Sequence, residues 1–192
     1  MSTSHTFIAI PLAEKLFDTG VYYQNQLDLR TYCKKLVHPD DFHLTLLFLG
    51  GCETALRDRI WQDVRQETAG MEKFSLTIRR LNFFGKPNRP RVLFLEPENN
   101  YNLHETAETI RKIAAKQGFS ADDRPFRPHM TLAKKWRDAK QDWPAKKRPL
   151  PSTIEPVTVT AERISLFKIH PERKQKYEEL ATICFKEPER RD

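Results

Sequence analysis

Pro128-His129-Met130-Thr131-Leu132 and His43-Leu44-Thr45-Leu46 share one pattern, His-apolar-Thr-Leu, and each sits in a stretch that reads as a β-strand. Side chains alternate faces along a strand, so residues i and i+2 point the same way. His43 and Thr45 therefore share a face, as do His129 and Thr131. Leu44, Leu46, Met130 and Leu132 turn to the opposite face, toward a core. Each copy offers an imidazole and a hydroxyl about 7 Å apart. Two such strands on a common cleft supply an acid, a base and two neutral hydrogen-bond donors, a set suited to chemistry on a phosphate.

A lone strand histidine is ordinarily a satisfied structural group. With 6 histidines and 15 threonines in 192 residues, chance gives about 0.5 copies of His-x-Thr. A third copy, His104-Glu105-Thr106, lies in a helical pattern, where i and i+2 do not share a face. It also lacks the flanking apolar positions. The other two match each other in apolar positions and in strand context, which sets them apart.

The length fits one domain of two lobes spanning residues 1–192. Such a chain buries about 70% of its unfolded surface, so disulfides are not needed. Cys33, Cys52 and Cys184 lack metal-ligand spacing and read as free thiols in a reducing compartment. Met1 to Thr6 is polar and runs straight into a strand, without the pattern of a signal peptide. No apolar run approaches spanning length. These features predict a cytoplasmic protein, expected to be monomeric. The net charge of +7 and pI near 9.4 favour anionic partners such as nucleic acid or nucleotides. No basic amphipathic helix or lipidation pattern points to a membrane.

Hydrophobic patterning predicts a strand at Thr6–Ile10 closed by Pro11, then a helix from Leu12 to about Cys33, broken at Gly20. The first motif strand is expected over Phe42–Leu49. A helix capped by Thr54 follows and stops at Gly70. Phe74–Arg79 alternates as a strand, and Phe83-Phe84-Gly85 ends that segment. Arg91–Leu95 returns as a strand after a Pro- and Asn-containing turn. A helical face runs from Leu103 to Ala115. After the second motif strand, Arg137–Pro151 reads as a loop, Val157–Val159 and Ile164–Ile169 as strands, and Ala181–Phe185 as the last strand. The charged tail from Lys186 to Asp192 is expected to fray. The motif strand follows a helix in each half, which suggests an α+β fold of two similar lobes with antiparallel sheets facing each other.

The chain resembles the 2H phosphoesterases, and within them the RNA 2′,3′-cyclic phosphodiesterases related to the bacterial 2′-5′ RNA ligase. The likeness lies in Phe42 to Gly50 and Arg124 to Lys134. Weaker matches are Phe84-Gly85, Pro90 to Leu95, and Ile164 to His170 ahead of Tyr177. The resemblance implies a bilobal fold, two pseudo-symmetric lobes of antiparallel sheet with outer helices around a central cleft. It implies metal-free hydrolysis of a 2′,3′-cyclic phosphate on RNA to a 2′-phosphate, with no cofactor. On the same analogy His43 is the proton donor to the leaving 3′ oxygen, and His129 is the acceptor that activates water. Thr45 and Thr131 would bind the nonbridging oxygens. Lys134 stands where related enzymes often carry arginine, keeping the charge without the bidentate fork. Phe48, Phe84 and His170 complete the candidate substrate-binding set, with core packing the more frequent use of phenylalanines such as Phe48 and Phe84, the second of which sits at a glycine turn that could face the cleft.

The chemistry itself asks for a base toward water and an acid toward the alkoxide. Histidine, titrating near pH 6.5, can serve as either. A metal site is the rival use of two histidines, but no Asp, Glu or Cys sits within the motifs at ligand spacing. Asp40-Asp41 reads as part of the turn leading into the first motif strand. The basic stretch from Lys134 through Trp136, Trp143, Lys146 and Lys147 to Arg148 suits a single-stranded nucleic acid. It equally suits a solvated loop whose tryptophans tuck into the core. Two other function classes share these residues: an enzyme for small cyclic nucleotides or ADP-ribose cyclic phosphate, and a non-catalytic RNA- or nucleotide-binding module.

Overall fold

The computed structural model describes residues 5–122, 124–145 and 149–188. Strand β1 (Thr6–Pro11) leads to α1 (Lys15–Gln26), a short α2 (Leu29–Tyr32) and β2 (Cys33–Leu36). The first motif strand is β3 (His43–Gly50), entered through a single 3-10 turn at Pro39–Asp41. Helix α3 (Thr54–Thr68), the hairpin β4 (Phe74–Lys86) and β5 (Arg89–Pro97), and α4 (Tyr101–Lys116) follow. The second motif strand is β6 (Met130–Trp136), with His129 just ahead of it, and β7 (Thr153–Ala161), β8 (Arg163–Ile169) and β9 (Tyr177–Cys184) close the chain.

The strands form two antiparallel sheets, ordered β3-β1-β8-β9 and β2-β6-β5-β4-β7. Each motif strand thus lies in a different sheet, as the two-lobed α+β reading requires. The lobes are not the two halves of the chain. Strand β2, from the first half, pairs with β6, while β8, from the end, pairs with β1 and carries β9 on its outer edge. The helices cross over as well. Helix α1 leaves the first sheet and packs on β6 and β7 of the second, whereas α4 leaves the second and packs on β3 of the first. Leu44 and Leu46 from one sheet and Leu93, Leu95 and Leu132 from the other join one buried apolar cluster. Each lobe is therefore closed by a helix belonging to the other, and β3 and β6 come into contact.

Several sequence expectations need correction. The first helix runs through Gly20 and stops near Asp28, whose φ of 50° is left-handed. Gly20 has a packing role instead: a Cβ there would lie 2.2 Å from Cε2 of Phe42. Thr54 is the first residue of its helix, and Glu53 precedes it without a side-chain cap. Strand β4 does not end at Phe83-Phe84-Gly85 but continues to Lys86 through a register shift, with Gly85 at φ 102°. Strand β9 begins at Tyr177 rather than Ala181. Lys186 does not begin a free tail, since its amide and carbonyl bond to Met71 and Lys73; residues 189–192 lie outside the described residues. Cys33, Cys52 and Cys184 are free thiols, as expected. Among the described residues, no helix is long and apolar enough to cross a membrane.

Gly20 yields a test whose sign is informative. Helix propensity alone predicts that Gly20→Ala stabilises by up to about 1 kcal/mol. A Cβ 2.2 Å from the Phe42 ring instead forces repacking, which costs about 1–3 kcal/mol. The expected outcome is a net loss of stability by denaturant titration; a gain would mean the ring moves aside freely.

Candidate active site

Strand alternation puts His43 and Thr45 on one face of β3, with Leu44 and Leu46 buried on the other. Each imidazole is held by the main chain two residues before it. His43 Nδ1 lies 2.6 Å from the carbonyl oxygen of Asp41, and His129 Nδ1 lies 2.8 Å from that of Arg127. A carbonyl only accepts, so in both rings Nδ1 carries the proton and Nε2 of the neutral ring is an acceptor. His43 Nε2 is 3.0 Å from Thr45 Oγ1.

Both anchoring carbonyls are themselves secured. Asp41 is 3% exposed. Its carboxylate accepts the amide N–H of Lys176 at 2.8 Å and of Tyr177 at 3.1 Å, tying the turn before β3 to the start of β9. Arg127 donates to Glu96 at 2.9 Å, and its guanidinium lies over the rings of Phe84 and Phe94. Those two rings also pack against His129, with centroids 5.1 and 5.2 Å away. His43 has a matching apolar seat formed by Phe7 and Tyr177, at 4.8 and 5.0 Å.

Strict alternation does not explain the rest of the site. In β3 the register shifts between Ile8↔Leu47 and Ala9↔Thr45, so Leu46 is an extra residue. In β6 it shifts between Leu93↔Ala133 and Phe94↔Thr131, so Leu132 is extra. A bulge of this kind re-aims every side chain beyond it. Phe48 is thereby returned to the face of His43 and Thr45, and Lys134 to the face of Thr131. The two occupy equivalent places, five residues after their histidines. Gln24 of α1 steadies the second bulge by donating to the carbonyls of Val37 and Leu132 at 2.8 and 2.9 Å.

His43, Thr45, Phe48, His129, Thr131 and Lys134 all line one cavity of about 260 Å³. Phe84 lines an adjoining cavity of about 680 Å³ that shares Thr45, Phe48 and His129. His170 lines neither. Its Nδ1 meets Glu172 at 3.2 Å and its Nε2 meets Glu178 at 2.5 Å, so it fastens the β8–β9 turn. Phe7 and Tyr177 line the smaller cavity but were not among the expected ligand contacts. For Phe7 a signal existed, since it alternates with Ile8 and Ile10 in β1. Of the basic stretch, residues 146–148 lie outside the described residues. Trp143 is buried and Trp136 stacks on Tyr32, so the tryptophans serve packing rather than an open platform.

Burial and neighbouring positive charge act in the same direction here. Burial chiefly holds the His43 imidazolium down, to a pKa of about 4, with His129 and Lys134 adding to the effect. His129 is lowered mainly by burial as well. Lys134 is depressed by burial and by Lys35, Lys135 and Lys176, and has no ion-pair partner among the described residues. A half-buried cation beside two suppressed imidazoles favours an anion. Among the described residues, no three His, Cys, Asp or Glu side chains converge as a metal-ligand group.

Two antiparallel lobes, each bringing a His-x-Thr strand to one cavity, define a two-histidine phosphoesterase architecture. Residues 25–173 match the family model described as the 2′-5′ RNA ligase superfamily, and the chain belongs to that superfamily. It is 34% identical over 176 residues to a Bacillus subtilis protein named RNA 2′,3′-cyclic phosphodiesterase, covering 92% of this chain and 93% of that one. A Geobacillus stearothermophilus protein of the same name is 29% identical over 95% of this chain and 58% of its own length. The crystal structure of E. coli LigT complexed with 3′-AMP superposes with a TM-score of 0.78 at 21% identity, over 95% of this chain and 98% of that one. The crystal structure of TT0787 from Thermus thermophilus gives 0.74 at 25% identity, again over 95% and 98%.

The depressed His43 pKa has a measurable consequence. The folded value, about 4, lies below the unfolded value of about 6.5. The unfolded chain therefore binds the proton more readily, and stability contributed by neutral His43 is lost as pH falls from about 6.5 toward 4. His43→Gln should flatten the decline in unfolding free energy over that interval; an unchanged pH slope would place the imidazole in solvent.

Proposed function

We propose that the protein hydrolyses 2′,3′-cyclic phosphate ends of RNA to 2′-phosphomonoesters by metal-independent acid–base catalysis with His43 and His129. The observation that carries this reading is the pair of Nδ1-anchored imidazoles in one cavity with two threonines and a half-buried lysine. His129 Nε2 takes a proton from water as the water oxygen bonds to phosphorus. The bond from phosphorus to the 3′ oxygen breaks, and His43 Nε2 delivers a proton to that oxygen. The cycle ends with His129 protonated and His43 neutral, and exchange with solvent resets both. Thr45 and Thr131 donate to the nonbridging oxygens, and Lys134 offsets the charge that builds there. The relatives named RNA 2′,3′-cyclic phosphodiesterase support the substrate class.

His43 has to be protonated to act as the acid, yet it is neutral near pH 7 in the free protein. An anionic phosphate beside it stabilises the imidazolium and raises its pKa. The pH optimum of kcat should therefore lie above that of kcat/KM, because the former reports the complex and the latter the free enzyme. Lys134→Gln should raise both histidine pKa values by removing a nearby positive charge, and should raise KM. A kcat/KM profile in Lys134→Gln that overlays the wild type would remove Lys134 from the cavity's electrostatics.

Hydrolysis of a 2′,3′-cyclic-phosphate oligonucleotide should survive EDTA; loss of activity restored by a divalent ion would contradict the metal-free scheme. His43→Ala and His129→Ala should each lose about 10²–10⁴ in kcat, the usual worth of one acid–base group. An activated leaving group such as p-nitrophenolate needs no acid, so it should rescue His43→Ala and not His129→Ala. Rescue of His129→Ala instead would exchange the two roles.

A further inference from the structure

The catalytic cavity, at about 260 Å³, falls below the roughly 300–1,000 Å³ that encloses a drug-sized ligand. It can take the cyclic phosphate and one edge of the ribose. The adjoining cavity of about 680 Å³ falls within that range, and the two meet at Thr45, Phe48 and His129. Phe48 is 52% exposed at this boundary. The larger cavity also carries Phe84 and four arginines, Arg91, Arg111, Arg124 and Arg127.

Three of these arginines already have partners. Arg111 donates to the carbonyl oxygens of Asp122 and Arg124. Arg124 pairs with the Asp122 carboxylate, and Arg127 with Glu96. Arg91 is exposed and has no hydrogen-bond or ion-pair partner among the described residues. It is held in place by its backbone. Gly85 in β4 lets the strands close so tightly that a Cβ there would lie 2.9 Å from the Arg91 amide nitrogen. Its neighbour Val92 lines the catalytic cavity, so one stretch of β5 serves both chambers.

A ribose bearing a 2′,3′-cyclic phosphate carries the preceding phosphodiester on its 5′ oxygen. With the 2′,3′ edge between the imidazoles, the 5′ side has to leave the catalytic cavity, and the shared boundary leads to the larger one. We propose that the larger cavity binds the nucleotide 5′ to the reacting one, with Arg91 pairing to the phosphodiester that joins them. This rests on the hydrolysis reading above. Phe48 and Phe84 supply π faces for bases, which stack without strong sequence preference. A guanidinium can meet two phosphate oxygens at once. The cavity therefore selects for chain length rather than base identity.

The test compares kcat/KM for uridine 2′,3′-cyclic phosphate with that for a dinucleotide ending in the same cyclic uridylate. The wild type should prefer the dinucleotide. Arg91→Ala should reduce that preference by about tenfold, the order expected for one charge-assisted phosphate contact. The salt dependence of the dinucleotide's KM should also become shallower, by about 0.7 in log–log slope. An undiminished preference in Arg91→Ala, or equal efficiency on both substrates in the wild type, overturns the subsite and leaves the chemistry standing. Hydrolysis of neither substrate by the wild type overturns the cyclic phosphodiesterase reading and the subsite with it.

Discussion

The hydrogen bond from each imidazole Nδ1 to the main-chain carbonyl two residues upstream is the contact on which the site depends. A histidine free to rotate or to exchange tautomers would present either nitrogen. Here the carbonyls of Asp41 and Arg127, 2.6 and 2.8 Å away, engage Nδ1, so that Nε2 is the nitrogen left for other partners. The same bonds support the charged ring, since imidazolium still donates through Nδ1. One geometry therefore serves both protonation states, as a residue that alternately holds and releases a proton requires. Much of the surrounding structure keeps the two carbonyls in place. The buried Asp41 carboxylate ties one to the β8–β9 turn. The Arg127–Glu96 pair and its aromatic bed fix the other.

The two bulges decide which other side chains reach the cavity. If residues 131–134 alternated regularly instead of bulging at Leu132, Lys134 would face away from Thr131 and out of the smaller cavity. If residues 45–48 alternated regularly instead of bulging at Leu46, Phe48 would turn from the cavity. Burial favours neutral histidines, and an incoming anion favours charged ones. Lys134 lowers the imidazole pKa values in the free protein yet attracts the group that raises them again. The resting imidazoles are thus neutral beside a lysine cation, and in the proposed reaction a bound phosphate would favour the charged form of His43.

The motif strands were legible in the sequence because period-two alternation is a local signal. Their pairing on one cavity followed from the repetition of the motif and from family resemblance. The bulges were not legible, because Leu44-Thr45-Leu46-Leu47-Phe48 reads as an ordinary apolar strand and a register shift exists only relative to a partner strand. Strand β2, Cys33-Lys34-Lys35-Leu36, is four residues with two exposed lysines; its pairing with β6 is a long-range contact that no local pattern encodes. The exchange of β8 and β9 into the first sheet escaped for the same reason. His170 looked like a ligand by sequence analogy, but Glu172 and Glu178 claim both its nitrogens. Asp41 read correctly as part of a turn, though its burial and its link to β9 are tertiary facts.

Hydrolysis in oxygen-18 water, followed by phosphorus NMR of the product, addresses the central claim most directly. An oligonucleotide with a 2′,3′-cyclic phosphate end should be converted to a 2′-phosphomonoester carrying one solvent-derived oxygen, and the His43→Ala, His129→Ala double variant should leave the cyclic phosphate intact. A 3′-phosphomonoester would mean that the 2′ oxygen is the one released. Conversion by the double variant at the wild-type rate would contradict the two-histidine account altogether.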